Sequence, residues 1–206
     1  MNVQRERWND LYKGTTSIKK DNWLEKYNSY FTQDKNILDL GCGNGSNLDY
    51  LVSKSKNIFA CDYSITAIET IRKHYKIIAC VADMREKLPY NDSFFDIIIA
   101  DLSLHYFRES ETIDIINELK RILKRPGYVF ARLNSINDVN HGAKLGIEIE
   151  RNYYNINENY KRFFDKDMIL QFFKDKFLIL NVKEKKIVRY SNEKVLWEII
   201  LQTSVK

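Results

Sequence analysis

The sequence predicts an α/β fold, a mostly parallel sheet with helices on both of its faces. Three observations lead there. Short, largely apolar runs alternate with runs of helical period from residue 35 to about residue 133. Three of the chain's seven glycines, Gly41, Gly43 and Gly45, stand directly behind the first apolar run. Two longer strand-like runs close the chain once the alternation has stopped.

The apolar runs at 37–40, 58–61, 77–81 and 94–100 have the length and composition of strands buried on both faces. A fifth, 128–133, is expected to open from a Pro126-Gly127 turn. Between them, Ser64 is placed to cap a helix whose buried stripe is Ile65, Ile68 and Ile71. Ile115, Ile116, Leu119, Ile122 and Leu123 make a second stripe, ending at Lys124 and Arg125. Parallel strands need crossover connections, which such helices supply. Ahead of the sheet, 5–12 and 21–31 read as helices, with Trp8, Leu11 and Tyr12 on one face. Past residue 133 the period is lost. Residues 134–159 are rich in Asn, Tyr and Gly and read as a long irregular segment. Then 165–173 reads as a short helix capped by Asp165, and 177–190 and 195–203 as an antiparallel pair at one sheet edge.

At 206 residues the expectation is one domain, 1–206. Hydrophobic residues make up 44% and charged residues 30%, the composition of an ordinary globular protein. No apolar run approaches the roughly 18–20 residues that span a bilayer. The first residues lack the apolar core of a signal peptide, so a cytoplasmic protein with no membrane partner is expected. Cys42, Cys61 and Cys80 have no metal-ligand spacing and read as buried free thiols, and no metal is expected. The net charge of +5 is mild. Lys120, Arg121, Lys124 and Arg125 recur at helical spacing and read as a solvated face rather than a nucleic-acid stripe.

The glycine turn carries most of the functional information. Glycine permits close approach of a ligand to the backbone, and a strand–turn–helix junction is a common place for one. Gly41-x-Gly43-x-Gly45 departs from the dinucleotide fingerprint, whose third small residue would stand at Ser46. Asp62, about 20 positions on, suits a ribose hydroxyl in either case. It also suits the cap of the following helix. Asp39 is a carboxylate in an apolar strand, costly to bury without a partner. It can orient the turn or receive a cationic ligand group. Asp83 follows the third strand, where it can accept from an adenine amino group while Met84 packs on the ring.

Several strings then stand in a fixed order: Leu38-Asp39-Leu40-Gly41-Cys42-Gly43-Asn44-Gly45, Cys61-Asp62-Tyr63-Ser64, Ala82-Asp83-Met84, Leu88-Pro89-Tyr90, Leu102-Ser103-Leu104-His105-Tyr106-Phe107 and Arg125-Pro126-Gly127. Together they resemble the class I S-adenosylmethionine-dependent methyltransferases. The His105-Tyr106-Phe107 stretch is most similar to the small-molecule branch. The resemblance covers residue 37 to about residue 133. It implies a Rossmann-like sheet of seven strands, order 3-2-1-4-5-7-6, with the last strand antiparallel. It implies S-adenosylmethionine as cofactor and S-adenosylhomocysteine as product. By the same resemblance Gly41, Cys42, Gly43, Asn44 and Gly45 lie against the methionine part, and Asp62 binds both ribose hydroxyls. Asp83 and Met84 bracket the adenine, and Asp101, Leu102 and His105 border the transferred methyl. Asp39 and Tyr63 complete the cofactor set.

Methyl transfer from a sulfonium asks the protein mainly to align three atoms and exclude water. If the acceptor must lose a proton early, His105 is the candidate base, and Tyr106 or Asp101 can orient the acceptor. Residues 101–104 lack the prolines of the turn used to methylate amino groups of nucleic-acid bases, and neither Pro89 nor Pro126 precedes a cysteine. A small-molecule acceptor is therefore expected, covered by residues 1–33 and 134–164, with the latter as a mobile lid and the chain as a monomer or homodimer. Methylation of a protein or peptide group, a nicotinamide-dependent oxidoreductase and a non-catalytic cofactor-binding module are the rival readings.

Overall fold

The five apolar runs and the two longer strand-like runs found in the sequence pair into one sheet in the computed structural model of the chain, which describes residues 3–13, 22–188 and 192–204. The helices are α1 (Val3–Tyr12), α2 (Leu48–Lys54), α3 (Ile65–His74), α4 (Glu109–Ile122) and α5 (Lys166–Phe173). The strands are β1 (Asn36–Leu40), β2 (Asn57–Asp62), β3 (Ile78–Val81), β4 (Phe95–Asp101), β5 (Leu123–Asn134), β6 (Ile147–Glu150), β7 (Tyr153–Ile156), β8 (Asn159–Arg162), β9 (Leu178–Ile187) and β10 (Lys194–Gln202). The main sheet runs β3-β2-β1-β4-β5-β10-β9. Numbered among themselves, its strands stand in the order 3-2-1-4-5-7-6. β1 to β5 pair in parallel, and β10 lies antiparallel to both β5 and β9.

The two faces of the sheet follow from the period of two along each strand. Leu38 and Leu40, Ile98 and Ala100, and Val129, Ala131 and Leu133 point to one face, where α4 and α5 bring Ile115, Leu119, Met168 and Ile169. Ile37, Ile97, Ile99 and Phe130 point to the other, covered by Leu48 and Leu51 of α2 and Ile68 and Ile71 of α3. Each of these side chains larger than alanine contributes about 1.5–3 kcal/mol by leaving water. Both faces being buried is why these strands read as continuous apolar runs.

Five local expectations are corrected. Ile65 is 43% exposed, because the helix starts there and Ala67 takes the inward position of the first turn. Ser64 caps that helix as expected, accepting from the Ala67 amide. The 21–31 segment is a 3-10 helix at Glu25–Tyr30, not an α-helix, and Asp21 lies outside the described residues. Tyr27 and Tyr30, three apart, pack with Phe31 on the ring of Phe130, a spacing that the three-residue turn aligns. Pro126-Gly127 does not open β5. That strand begins at Leu123, and residues 124–127 bulge out between the Phe95–Leu123 and Ile97–Tyr128 pairs. Thr203 ties down this bulge, accepting from the Gly127 amide and donating its own amide to the Gly127 carbonyl. Of the cysteines, Cys42 and Cys61 are buried free thiols, while Cys80 is only partly buried.

The fifth correction is the largest. Residues 134–164 are not an irregular run. They carry a second sheet, the antiparallel meander β6-β7-β8. Ile156 pairs with Asn159 across Asn157 and Glu158, both at positive φ, which is a two-residue turn of type I′. The stretch is anchored by a buried ion pair: Lys194 of β10 donates to Asp138 at 2.7 Å and to Asn134 at 2.8 Å, and Asp138 also accepts from the Val195 amide. Among the described residues no helix is long and apolar enough to cross a membrane.

Removing one member of a buried pair leaves the other charge uncompensated. Asp138→Ala should therefore lower unfolding free energy by about 3–5 kcal/mol in urea denaturation. A loss under 1 kcal/mol would show that the pair does not anchor the small sheet.

Candidate cofactor and acceptor site

β1 is flanked by β2 on one side and β4 on the other, so the strand order reverses there. The crevice beyond such a point is where open α/β sheets bind ligands. A cavity of about 770 Å³ occupies it. Its floor is the turn after β1, with Gly41, Cys42, Gly43, Asn44 and Ser46. Asp62 and Tyr63 follow from the end of β2, Asp83, Met84 and Arg85 from the end of β3, and Asp101, Leu102 and Ser103 from the end of β4. Its roof is α1, through Arg7, Trp8, Leu11 and Tyr12, and the β7–β8 hairpin, through Glu158, Tyr160 and Lys161. Tyr106 closes one side, edge-on to Trp8 at 5.0 Å.

The glycines are required where they stand. Gly41 and Gly43 both have positive φ, and a Cβ on Gly41 would lie 2.5 Å from the Ser103 Cβ. One on Gly43 would lie 2.7 Å from the Tyr12 hydroxyl. The backbone thus presses against its neighbours on the cavity side. Three hydrogen bonds hold the turn to β2. The Gly41 and Cys42 amides donate to the Cys61 carbonyl, and the Gly43 amide donates to Asp62 at 2.8 Å. The second Asp62 oxygen accepts from the Ser64 amide, also at 2.8 Å. Burial pushes the Asp62 carboxyl above its ordinary pKa, against the pull of the Ser64, Gly43 and Tyr63 amides. Each carboxylate oxygen keeps further acceptor capacity.

Other expected residues are placed differently. Asp39 is wholly buried beneath the turn rather than at the cavity, where the Asn47 amide reaches it at 3.5 Å. Gly45 packs on Ile71 and Leu48 behind the turn. His105 does not line the cavity. It is 2% exposed behind Tyr106, with ring centres 4.3 Å apart, and its Nδ1 has no hydrogen-bond partner among the described residues. Burial, then the cations Lys194 and Lys161, push its pKa well below the usual histidine value. A base must come within hydrogen-bond reach of the proton it takes. Tyr106, not His105, has that access.

Three partners escaped the reading of the sequence. Arg85 grips the Asp83 carboxylate with bonds of 2.7 to 3.2 Å. Arg132, from β5, grips Asp101 at 2.6 and 2.7 Å, wholly buried, with its guanidinium 4.6 Å from the Trp23 ring centre. Lys161 enters from β8. Arg132 did leave a signal, since a charged residue inside a doubly buried strand needs a partner. Arg85 and Lys161 left none in spacing or composition.

Burial pushes the Asp83 carboxyl up, but the hydrogen bonds and charge of Arg85 outweigh it and hold the group below the usual carboxylate range. A depressed folded-state pKa stabilises the fold above the unfolded value of about 3.9, and that stabilisation is lost as pH falls through the folded value. Carbon NMR titration should place the Asp83 midpoint below that of an ordinary Asp, and Arg85→Met should raise it. An unmoved midpoint would show that the pair is not formed in solution.

The comparisons agree with this geometry. Residues 37–127 match a family model described as a methyltransferase domain. An uncharacterised methyltransferase of Synechocystis is 30% identical over 95 residues, 46% of this chain and 44% of that protein. The match thus spans under half the length of this relative. Among solved structures, a SAM-dependent methyltransferase of Methanosarcina mazei superposes with a TM-score of 0.74 at 20% identity, over 88% of this chain and 98% of that one. The 1,6-didemethyltoxoflavin-N1-methyltransferase of Burkholderia thailandensis, solved with that substrate and S-adenosylhomocysteine, gives 0.72 at 12% identity, over 98% and 88%. Residues 37–127 are thus similar to a methyltransferase domain, and the sheet built around them has the fold of the solved SAM-dependent methyltransferases.

Proposed function

We propose that the chain transfers a methyl group from S-adenosylmethionine to a small-molecule acceptor, releasing S-adenosylhomocysteine. One observation carries the reading: a single roofed cavity joins a glycine turn and Asp62 at one end to an aromatic chamber at the other. The residues fit the cofactor. The glycine turn leaves backbone exposed where a Cβ would intrude, and Asp62 borders the cavity with acceptor capacity to spare. A volume of about 770 Å³ lies within the range of ordinary ligand pockets. We read 1–206 as one domain, with α1 and the 134–164 segment as cover of the acceptor side.

In this proposal Gly41, Cys42, Gly43 and Asn44 hold the methionine part, with Gly45 and Asp39 supporting the turn from behind. Asp62 receives the ribose hydroxyls beside Tyr63. Asp83, steadied by Arg85, and Met84 bracket the base. Asp101 and Leu102 border the transferred methyl. The bound cofactor supplies a methyl already activated by the sulfonium charge. The chain's own part is to align acceptor and methyl and to keep water out. Tyr106 orients the acceptor by its hydroxyl, and His105 supports Tyr106 from behind without taking a proton.

Two expectations test this. Calorimetry should show S-adenosylmethionine and S-adenosylhomocysteine binding near micromolar strength, about −8 kcal/mol, with NAD far weaker. Release of S-adenosylhomocysteine against a mixed metabolite library should then identify the acceptor. Stronger binding of NAD would replace this reading with an oxidoreductase.

The second concerns Asp62→Ala. Each charge-assisted bond removed costs about 1.5–3 kcal/mol, so affinity for S-adenosylhomocysteine should fall at least tenfold. The melting temperature should fall too, because the Gly43 and Ser64 amides lose their acceptor. A lower melting temperature with unchanged affinity would leave Asp62 as a latch of the turn and nothing more.

A further inference from the structure

The charges around the cavity are unevenly satisfied. On the cofactor side every carboxylate has donors: two backbone amides for Asp62, Arg85 for Asp83 and Arg132 for Asp101. On the acceptor side two cations stand without a counterion among the described residues. Lys161 of β8 lines the cavity half-buried, and its ammonium makes no hydrogen bond or ion pair among the described residues. Arg7 of α1, on the same wall, donates among the described residues only to the Glu158 backbone carbonyl, at 3.2 Å. The Glu158 carboxylate at the rim is exposed and pairs with neither cation. Around Lys161, Lys194 and Arg7 repel, and the opposing Asp138 is already joined to Lys194 at 2.7 Å. Burial and then these cations hold the Lys161 pKa below the usual lysine value.

A partly buried cation with no counterion is costly to keep. Sites retain such a charge where a ligand completes it, as strongly perturbed groups in clefts often do. We propose that the methyl acceptor carries an anionic group, a carboxylate or a phosphate monoester, and that Lys161 and Arg7 receive it. The inference rests on the methyltransferase reading of the cavity and names the acceptor's class. Trp8, Tyr106 and Tyr160 line the same chamber, so the remainder of the acceptor is flat and apolar. The anion docks on the wall formed by α1 and β8, while the Asp101 end of the cavity meets the nucleophile.

The test uses the full chain saturated with S-adenosylhomocysteine. Matched probes are titrated by calorimetry: hydroxybenzoates and aminobenzoates against their primary amides, and phenyl phosphate against phenol. At least one anion should bind ten times more tightly than its neutral counterpart, and the carboxylate and phosphate arms show which group is preferred. Lys161→Gln should bring that pair within about twofold, and Arg7→Gln, on an exposed position of α1, should reduce the preference on its own. Equal binding of all pairs, binding of no anion, or a preference that survives both substitutions would overturn the proposal. Failure of S-adenosylhomocysteine itself to bind would instead bring down the reading beneath it, and this is read first in the same titration.

Discussion

β1 has a parallel neighbour on each side, and the crossovers that follow lie on opposite faces of the sheet: α2 with β2 on one, α4 with β5 on the other. The helices therefore part at the carboxyl end of β1, and the chain leaving that strand must turn in the gap between them. This constraint makes the crevice and decides which residues reach it. A turn there is squeezed against the start of the β4 loop at Ser103 and against α1 at Tyr12, which leaves room for glycine alone. The Asp62 carboxylate then locks the turn to the next strand, holding Gly43 with one oxygen and Ser64 with the other. One side chain thus sets the floor of the cavity and the start of α3.

Carboxylates at the ends of β3 and β4 are expensive in such a place, and the fold neutralises them in two ways. Asp83 finds Arg85 two residues on, a local solution. Asp101 finds Arg132 on the neighbouring strand, a solution available only once β4 and β5 have paired. The guanidinium lies over Trp23, and the Trp23 indole bonds to Asn47, whose amide reaches Asp39. A chain of polar contacts therefore runs under the turn from the end of β4 to the middle of β1. Networks of this kind stiffen a site when every member has a partner.

The acceptor side is built on other material. The meander β6-β7-β8 hangs from β10 through Asp138 and Lys194, and its Tyr153 and the Phe163 that follows β8 are buried while Tyr160 and Lys161 reach the cavity. Its tight turn uses Asn157 and Glu158 at positive φ, where glycine is the usual sign. With no glycine in that turn and four-residue strands, the segment has neither the turn signal nor the length that a pattern of alternation needs.

By itself the sequence determined what is local or periodic. Strands buried on both faces show as apolar runs, amphipathic helices show as stripes, caps such as Ser64 and Asp165 show by residue type, and the crowded turn shows as clustered glycine. The tertiary structure alone decided which charges meet. Arg132 reaches Asp101 across a strand pair, Lys161 arrives from a small sheet that the chain forms between β5 and α5, and Arg7 comes from the far N-terminal helix. It also withdrew His105 and Asp39 from the cavity, since both lie close in sequence to lining residues but face the core. Period and residue type report a segment's own conformation. Contact between distant segments, and the direction of a side chain at a strand's end, depend on packing that no single segment contains.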